Sequence, residues 1–226
     1  YRPDALRRRW SPEATSGGRT LAEVPPGSEE FARVAEVFRA APAEPPAYRL
    51  SPQAQWERTE IVKVERVQNR GQALGSTQPY CDSLARSLAD QGVDFEPGVH
   101  TCWAFHGTDA IDSIVNDPVA GFQPLASGKR GASVWGLGTY FSRDAKYVAD
   151  SPFCGRTPDG SRQMLMCLLM TGMACLGDAQ HRGVLPFRTR QQQHRYNSSV
   201  DSLSSPEVYV VQHPGAAHPG YVITFR

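Results

Sequence analysis

Residues 101–108 read TCWAFHGT and residues 136–142 read GLGTYFS. Each is a short run rich in apolar and aromatic residues and bounded by glycine or a polar residue, which is the composition of a strand closed by a turn. In the first, His106 ends the run and Gly107 follows it, where a missing Cβ lets a ligand approach the backbone. In the second, Tyr140 follows a glycine-rich turn. Taken singly neither decides anything, because a histidine at a strand end is more often a satisfied structural residue and a Tyr-Phe pair is more often core. The same texture continues outward in QMLMCLLMTG (163–172), PEVYVVQ (206–212) and YVITF (221–225). Between these strands, Thr108 is expected to cap a short helix through Ile111, Ile114 and Val115, and Asp144 to cap another. Helices inserted at irregular intervals, without strict βαβ alternation, predict an α+β fold of mainly antiparallel sheets. The chain has no G-x-G-x-x-G or Walker loop, which argues against a Rossmann or P-loop nucleotide site.

Upstream, VPPGSEEFARVAEVFRA (24–40) offers Ser28 as an N-cap, Glu29 and Glu30 in a first turn, and Val34, Ala35 and Phe38 at helical spacing. Pro42, Pro45 and Pro46 are expected to end that helix. In EIVKVERVQN (60–69) Val62 and Val64 alternate with charged residues, as in a strand, and Leu84 and Leu88 share one face of a second helix. Residues 1–23, with Arg7, Arg8 and Arg9 and little periodicity, read as a lead-in from which Trp10 docks, and residues 24–226 as one domain. A chain that opens on Tyr1 is expected to be a fragment of a longer protein.

At 226 residues and 40% apolar, the chain can bury a full core, which excludes wholesale disorder. A net charge of +1 gives no global field to capture nucleic acid or an anionic membrane, and no basic-aromatic patch indicates a nucleic-acid partner. The longest apolar run, 164–170, is far shorter than the roughly 20 residues a bilayer crossing needs. Five widely spaced cysteines, without C-x-x-C or a zinc-spaced histidine pair, read as reduced core residues with no metal, and the expected compartment is cytoplasm or nucleus.

In order and at their spacing, the motifs resemble the ADP-ribosyltransferase domain of the poly(ADP-ribose) polymerase superfamily, in particular its mono-ADP-ribosylating branch. The resemblance runs from about residue 24 to residue 225. It rests on VPPGSEEF, IVKVERVQN, FHGT, the Gly121-Phe122 pair, GLGTYFSRDA, PDGSRQM, RYNSSVDSLSSPEVYVV and HPGYVITF. It implies two packed antiparallel sheets around an NAD-binding cleft, with NAD as substrate and a protein acceptor that offers a Glu, Asp or other nucleophilic side chain. His106 would bond a ribose hydroxyl, and the Gly107 backbone would grip the nicotinamide carboxamide. Tyr140 would wall the nicotinamide pocket, with Phe153 standing where relatives have a second stacking tyrosine. Thr108 and Phe141 complete the implied cofactor-binding set. Residues 126–136, ASGKRGASVWG, correspond to the segment that closes over the cofactor, where Lys129 or Arg130 would meet the pyrophosphate.

Two departures matter. The third triad position, a glutamate in chain-extending members, matches Val208. A hydrogen bond to a charged group contributes ~1.5–3 kcal/mol, so its loss slows bond cleavage by roughly 10- to 150-fold, and chain elongation is lost outright. In the strand, Val208, Val210 and Gln212 share one face and Glu207, Tyr209 and Val211 the other, which puts Glu207 outside the cleft. Val148 stands where the family has a serine that bonds the carboxamide. The expected function is mono-ADP-ribosyl transfer, with a catalytically inert interaction or regulatory module as the alternative.

Overall fold

The computed structural model describes residues 3, 7–10, 19–40, 56–124, 133–181, 183–188 and 193–226. Its centre is a pair of nine-residue strands, β6 (Arg162–Met170) and β10 (Ala217–Phe225), paired antiparallel. Residues 164–170 and the whole of β10 are buried, so neither strand has a polar face. Odd and even side chains enter two different cores. On one face Met164, Met166, Tyr221, Ile223 and Phe225 pack with Val34, Ala35 and Phe38 of α1 (Glu29–Arg39). On the other, Leu165, Cys167, Leu169 and Val222 pack with Ile111, Ile114 and Val115 of α3 (Ile111–Asn116).

The remaining strands are β1 (Arg19–Glu23), β2 (Ile61–Asn69), β3 (Thr101–His106), β4 (Thr139–Ser142), β5 (Gly155–Arg156), β7 (Ala174–Leu176), β8 (Ser198–Val200) and β9 (Val208–Val211). They follow the order β1-β2-β10-β6-β3-β4-β9-β8-β7, with β5 on β6, and every pairing is antiparallel except β7 with β8. The fold is therefore α+β and mainly antiparallel. The two sheets expected from the sequence are joined into one ten-stranded path, and the joint is narrow. β3 and β4 share a single registered pair, Phe105 with Ser142. Residues from both sides of that joint, Ala104 and Leu165 from one and Phe141, Tyr209 and Val211 from the other, fill one core.

Local signals explain most elements. Ser28 caps α1, its hydroxyl accepting from the Phe31 N–H at 3.1 Å, and Asp144 caps α4 (Ala145–Asp150) by accepting from Lys146 N–H at 2.9 Å. Leu84 and Leu88 are buried on α2 (Gln78–Ala89). Asn69 and Gln72 take the orphan carbonyls at the end of α3. The amide of Asn69 donates to Val115 O and Asp117 O, and that of Gln72 to Ile114 O and Asp117 O.

Two expectations are corrected. Within the supposed lead-in, residues 19–23 form the edge strand β1, in register with β2 from Arg19–Asn69 to Glu23–Glu65. Leu21 there is exposed, so the strand is held by backbone pairing and shows no apolar period to read. Trp10 does dock, stacking on His218 with ring centroids 6.4 Å apart. Thr108 does not cap α3: the N-cap is Ala110, and the Thr108 hydroxyl accepts from the Ala110 N–H at 3.0 Å in a local turn. Pro42, Pro45, Pro46, Lys129 and Arg130 lie outside the described residues. All five cysteines are free. Among the described residues no helix is long and apolar enough to cross a membrane, and no metal-binding cluster is present.

Candidate functional site

The joint between the two halves of the sheet creates the site. β3 and β4 part after the Phe105–Ser142 pair, and His106 lies beyond it. Its Nδ1 donates to the Tyr140 carbonyl at 2.8 Å, in place of a backbone ladder bond. Phe122 and Phe141 pack on the ring, with centroids 5.4 and 5.2 Å away, and stack edge-on with each other at 5.1 Å. Burial lowers the His106 pKa, against the opposing effect of the Tyr140 carbonyl. A neutral imidazole that donates through Nδ1 keeps a lone pair on Nε2, so His106 presents a fixed hydrogen-bond acceptor.

Gly107 follows, pressed against α4 and the segment after it. A Cβ there would lie 3.0 Å from Val148 Cγ1, 3.3 Å from Cys154 N and 3.4 Å from the Phe153 carbonyl carbon. Two chain stretches far apart in sequence thus converge, one offering the backbone of Gly107 and the other Val148 and Phe153. The Phe153 side is open, at 38% exposure, and Val148 is buried at 5%. Tyr140 is half-buried, and its hydroxyl donates to Gly136 O at 2.6 Å and accepts from Trp135 N–H at 3.2 Å. Cross-strand partners share a face. Tyr140 opposite Val210 and Ser142 opposite Val208 therefore put Tyr140 and Val208 on one side of the sheet. Glu207 precedes Val208 and lies on the other face with Tyr209, whose pKa is raised by burial and also by the Glu207 charge. Arg143 hydrogen-bonds Tyr209 on that face. The carboxylate of Asp201 accepts from the N–H groups of both Glu207 and Val208 at 3.0 Å, fixing the entry to β9.

The structure therefore brings Gly107 against Val148 and Phe153, with His106 beside it on the Tyr140 carbonyl and Phe141 against the imidazole, and puts Tyr140 and Val208 on one face of the β4–β9 pair. Thr108 sits beside Gly107, on the rim of a cavity of about 240 Å³ that also includes Asp109, Asp112, Gly155 and Arg156. The sequence reading missed the Gly136 and Trp135 backbone clamp on Tyr140 and the Asp201 clamp on Val208. Backbone partners leave no residue-type signal, and Asp201 reads as one more polar turn residue.

Val148 sets a quantitative expectation. In Val148→Ser the hydroxyl would gain a carboxamide partner worth ~0.5–1.5 kcal/mol, so benzamide should bind roughly 2- to 10-fold tighter. The same change puts a hydroxyl into a buried apolar site, at a cost of ~1–3 kcal/mol in stability. Calorimetry and urea denaturation read the two effects separately, and unchanged or weaker benzamide binding would mean that the carboxamide position is not beside residue 148.

Comparison with known proteins relates this α+β chain to the ADP-ribosyltransferase class. Within that class the chain is a relative of the mono-ADP-ribosyltransferases of the PARP family. It is 31% identical over 124 residues to human protein mono-ADP-ribosyltransferase PARP14, covering 54% of this chain and 7% of that protein. It is 31% identical over 172 residues to mouse PARP10, covering 75% and 16%, and 27% identical over 191 residues to mouse PARP11, covering 75% and 54%. The chain thus spans about half the length of PARP11 and a small fraction of the other two. No protein-family profile matches the chain.

Proposed function

We propose that the chain transfers a single ADP-ribose unit from NAD to a protein acceptor, with release of nicotinamide. The observation that carries this reading is the convergence of Gly107 with Val148 and Phe153 beside a neutral, oriented His106. His106 Nε2 would accept from a ribose hydroxyl. The Gly107 backbone would bond the carboxamide, and the rings of Tyr140 and Phe153 would wall the nicotinamide. These residues fit NAD, because the site combines aromatic walls, a free acceptor nitrogen and a backbone that carries no side chain. Bound NAD would supply the bond between ribose C1′ and nicotinamide, which breaks through an oxocarbenium-like transition state and leaves C1′ open to the acceptor. The chain's own contribution is orientation and electrostatics, and no side-chain nucleophile of its own is required.

Val208 offers no carboxylate to activate an acceptor hydroxyl, so the acceptor's own Glu, Asp or other nucleophilic side chain would attack, and one unit would be added per site. A second reading, a module that keeps the fold without catalysis, is favoured by the packing of Val148 where a hydroxyl is expected and by the missing carboxylate at Val208. Incubation with labelled NAD separates the two. Single-unit labelled protein supports the transferase, and folded protein that neither binds NAD nor becomes labelled supports the inert module. In the same assay Glu207→Gln is expected to change labelling less than about twofold, since Glu207 faces away from Tyr140 and its loss would act only through local stability. A drop of about a hundredfold in a folded variant, or polymer from the wild type, would place Glu207 in the cleft and overturn the single-unit assignment.

A further inference from the structure

Helix α4 packs into the core through Ala145, Val148 and Ala149, but Phe153 beyond its end is 38% exposed. Helix α4 is six residues long, and a helix this short is not stable by itself. After it, Ser151 donates to Val148 O through its N–H at 3.2 Å and its hydroxyl at 2.6 Å, and the Cys154 thiol reaches the same carbonyl at 3.5 Å. The Phe153 N–H reaches only Ser151 Oγ, at 3.4 Å. These bonds all stay within α4 and its own continuation. They shape the segment without fixing where it lies against the sheet.

The Arg162 side chain crosses that gap. Arg162 opens β6, registered with Phe225 of β10 and Arg156 of β5, and its guanidinium lies over the Phe225 ring at 5.7 Å. From there Nη2 donates to the carbonyl of Ala149 and, at 3.3 Å, to that of Ser151. It also hydrogen-bonds Cys154, whose pKa burial nonetheless raises to about 11. A cation at a helix C-terminus satisfies orphan carbonyls and opposes the negative end of the dipole. A Cβ added at Gly107 would come within 3.0–3.4 Å of Val148, Phe153 and Cys154, so the space between this segment and β3 admits no side chain there.

We propose that Arg162 is a positioning residue for the nicotinamide end of the site, tying residues 149–154 to the sheet so that Phe153 meets the ligand at the distance set by Gly107. This deepens the reading of the site as an NAD pocket and rests on it. Nη2 alone reaches both carbonyls, and the flat guanidinium lies over Phe225 as it does so. Lysine keeps the charge but cannot lay a planar group over Phe225 to hold the donor in place.

The test compares the wild type with Arg162→Lys and Arg162→Ala against two ligands. Benzamide probes the nicotinamide end, and ADP-ribose lacks nicotinamide. An ångström-scale shift of a binding wall costs affinity steeply, so both variants are expected to bind benzamide about tenfold more weakly and ADP-ribose within about twofold of wild type. Backbone amide exchange should quicken at residues 151–154 and stay unchanged in β6 and β10. Arg162 borders an open cavity of about 290 Å³ with Trp56 and Phe225. Ethylguanidine should therefore enter the Arg162→Ala protein and restore benzamide binding. Equal weakening of both ligands, or unchanged benzamide affinity in Arg162→Lys, would overturn the proposal. A wild type that binds neither ligand overturns the NAD reading itself, and this assignment with it, before any variant is made.

Discussion

In His106→Gln, NAD affinity is expected to fall about tenfold while the protein stays folded, and in His106→Ala binding should become unmeasurable. The imidazole does three jobs: it offers Nε2 to the ligand, donates Nδ1–H to Tyr140 O, and fills the space between Phe122 and Phe141. Losing the ligand bond costs ~0.5–1.5 kcal/mol, roughly 2- to 12-fold in affinity, while a Tyr140 carbonyl left unpaired, as alanine leaves it, costs ~1–3 kcal/mol of stability. Alanine adds a cavity, at ~3–5 kcal/mol of stability for a removed aromatic side chain, so glutamine is the cleaner variant because its amide can still reach the Tyr140 carbonyl. The wild-type pH profile carries the same signature. Burial depresses the His106 pKa, so the neutral acceptor form prevails at pH 7 and NAD affinity should still be level at about pH 6.5, where an ordinary histidine is half protonated, and fall only at more acid pH. A folded glutamine variant with wild-type affinity, measured by calorimetry beside circular dichroism, would remove His106 from the site.

The parts of this fold that were legible in the sequence are those in which side chains do the specifying. The α1 stripe, the caps at Ser28 and Asp144 and the doubly buried 164–170 run each leave a pattern of residue types, and the structure has each where that pattern predicts. Strand β1 left none, because it is an edge held by backbone bonds. That Glu207 and Val208 lie on opposite faces was also legible, since period two in a strand admits nothing else, but which of them belongs to the site came from the family resemblance. What could not be read is how the two stretches of the site are held together. The Asp201 clamp on Val208, the Gly136 clamp on Tyr140 and the reach of Arg162 to Ala149 and Ser151 all end on backbone atoms. Backbone partners are chemically identical at every position, so sequence carries no mark of which one is chosen.

Acid should destabilise this protein well before its carboxylates titrate, by about 3 kcal/mol between pH 6.5 and pH 4 from His218 alone, taking its ordinary pKa as about 6.5 and its folded value as about 4. His218 is 1% exposed, lies on β10 beneath Trp10, and meets Thr77 Oγ1 at 3.4 Å. Burial is the larger cause of its low pKa, and the nearby Arg7 charge adds to it. Between pH 4 and 6.5 the unfolded chain therefore carries a proton at this position that the folded chain lacks, and stability rises with pH across that window. The full contribution is present above about 6.5 and is lost as pH falls toward 4. His106 and His213, both depressed by burial, act in the same direction. Asp117, with its carboxyl stabilised by the Ala120 and Val119 N–H groups, sits below its usual value of 3.8 and contributes its own loss only at lower pH. Urea denaturation at pH 7, 5.5 and 4.5 measures the slope, and His218→Phe keeps a ring against Trp10 while removing the titration. The phenylalanine variant is expected to lose about 2.4 kcal/mol less than wild type between about pH 7 and pH 4.5. If the two proteins lose stability in parallel, His218 takes up its proton in the folded state at its ordinary pKa, and the Trp10 lid does not keep water from it.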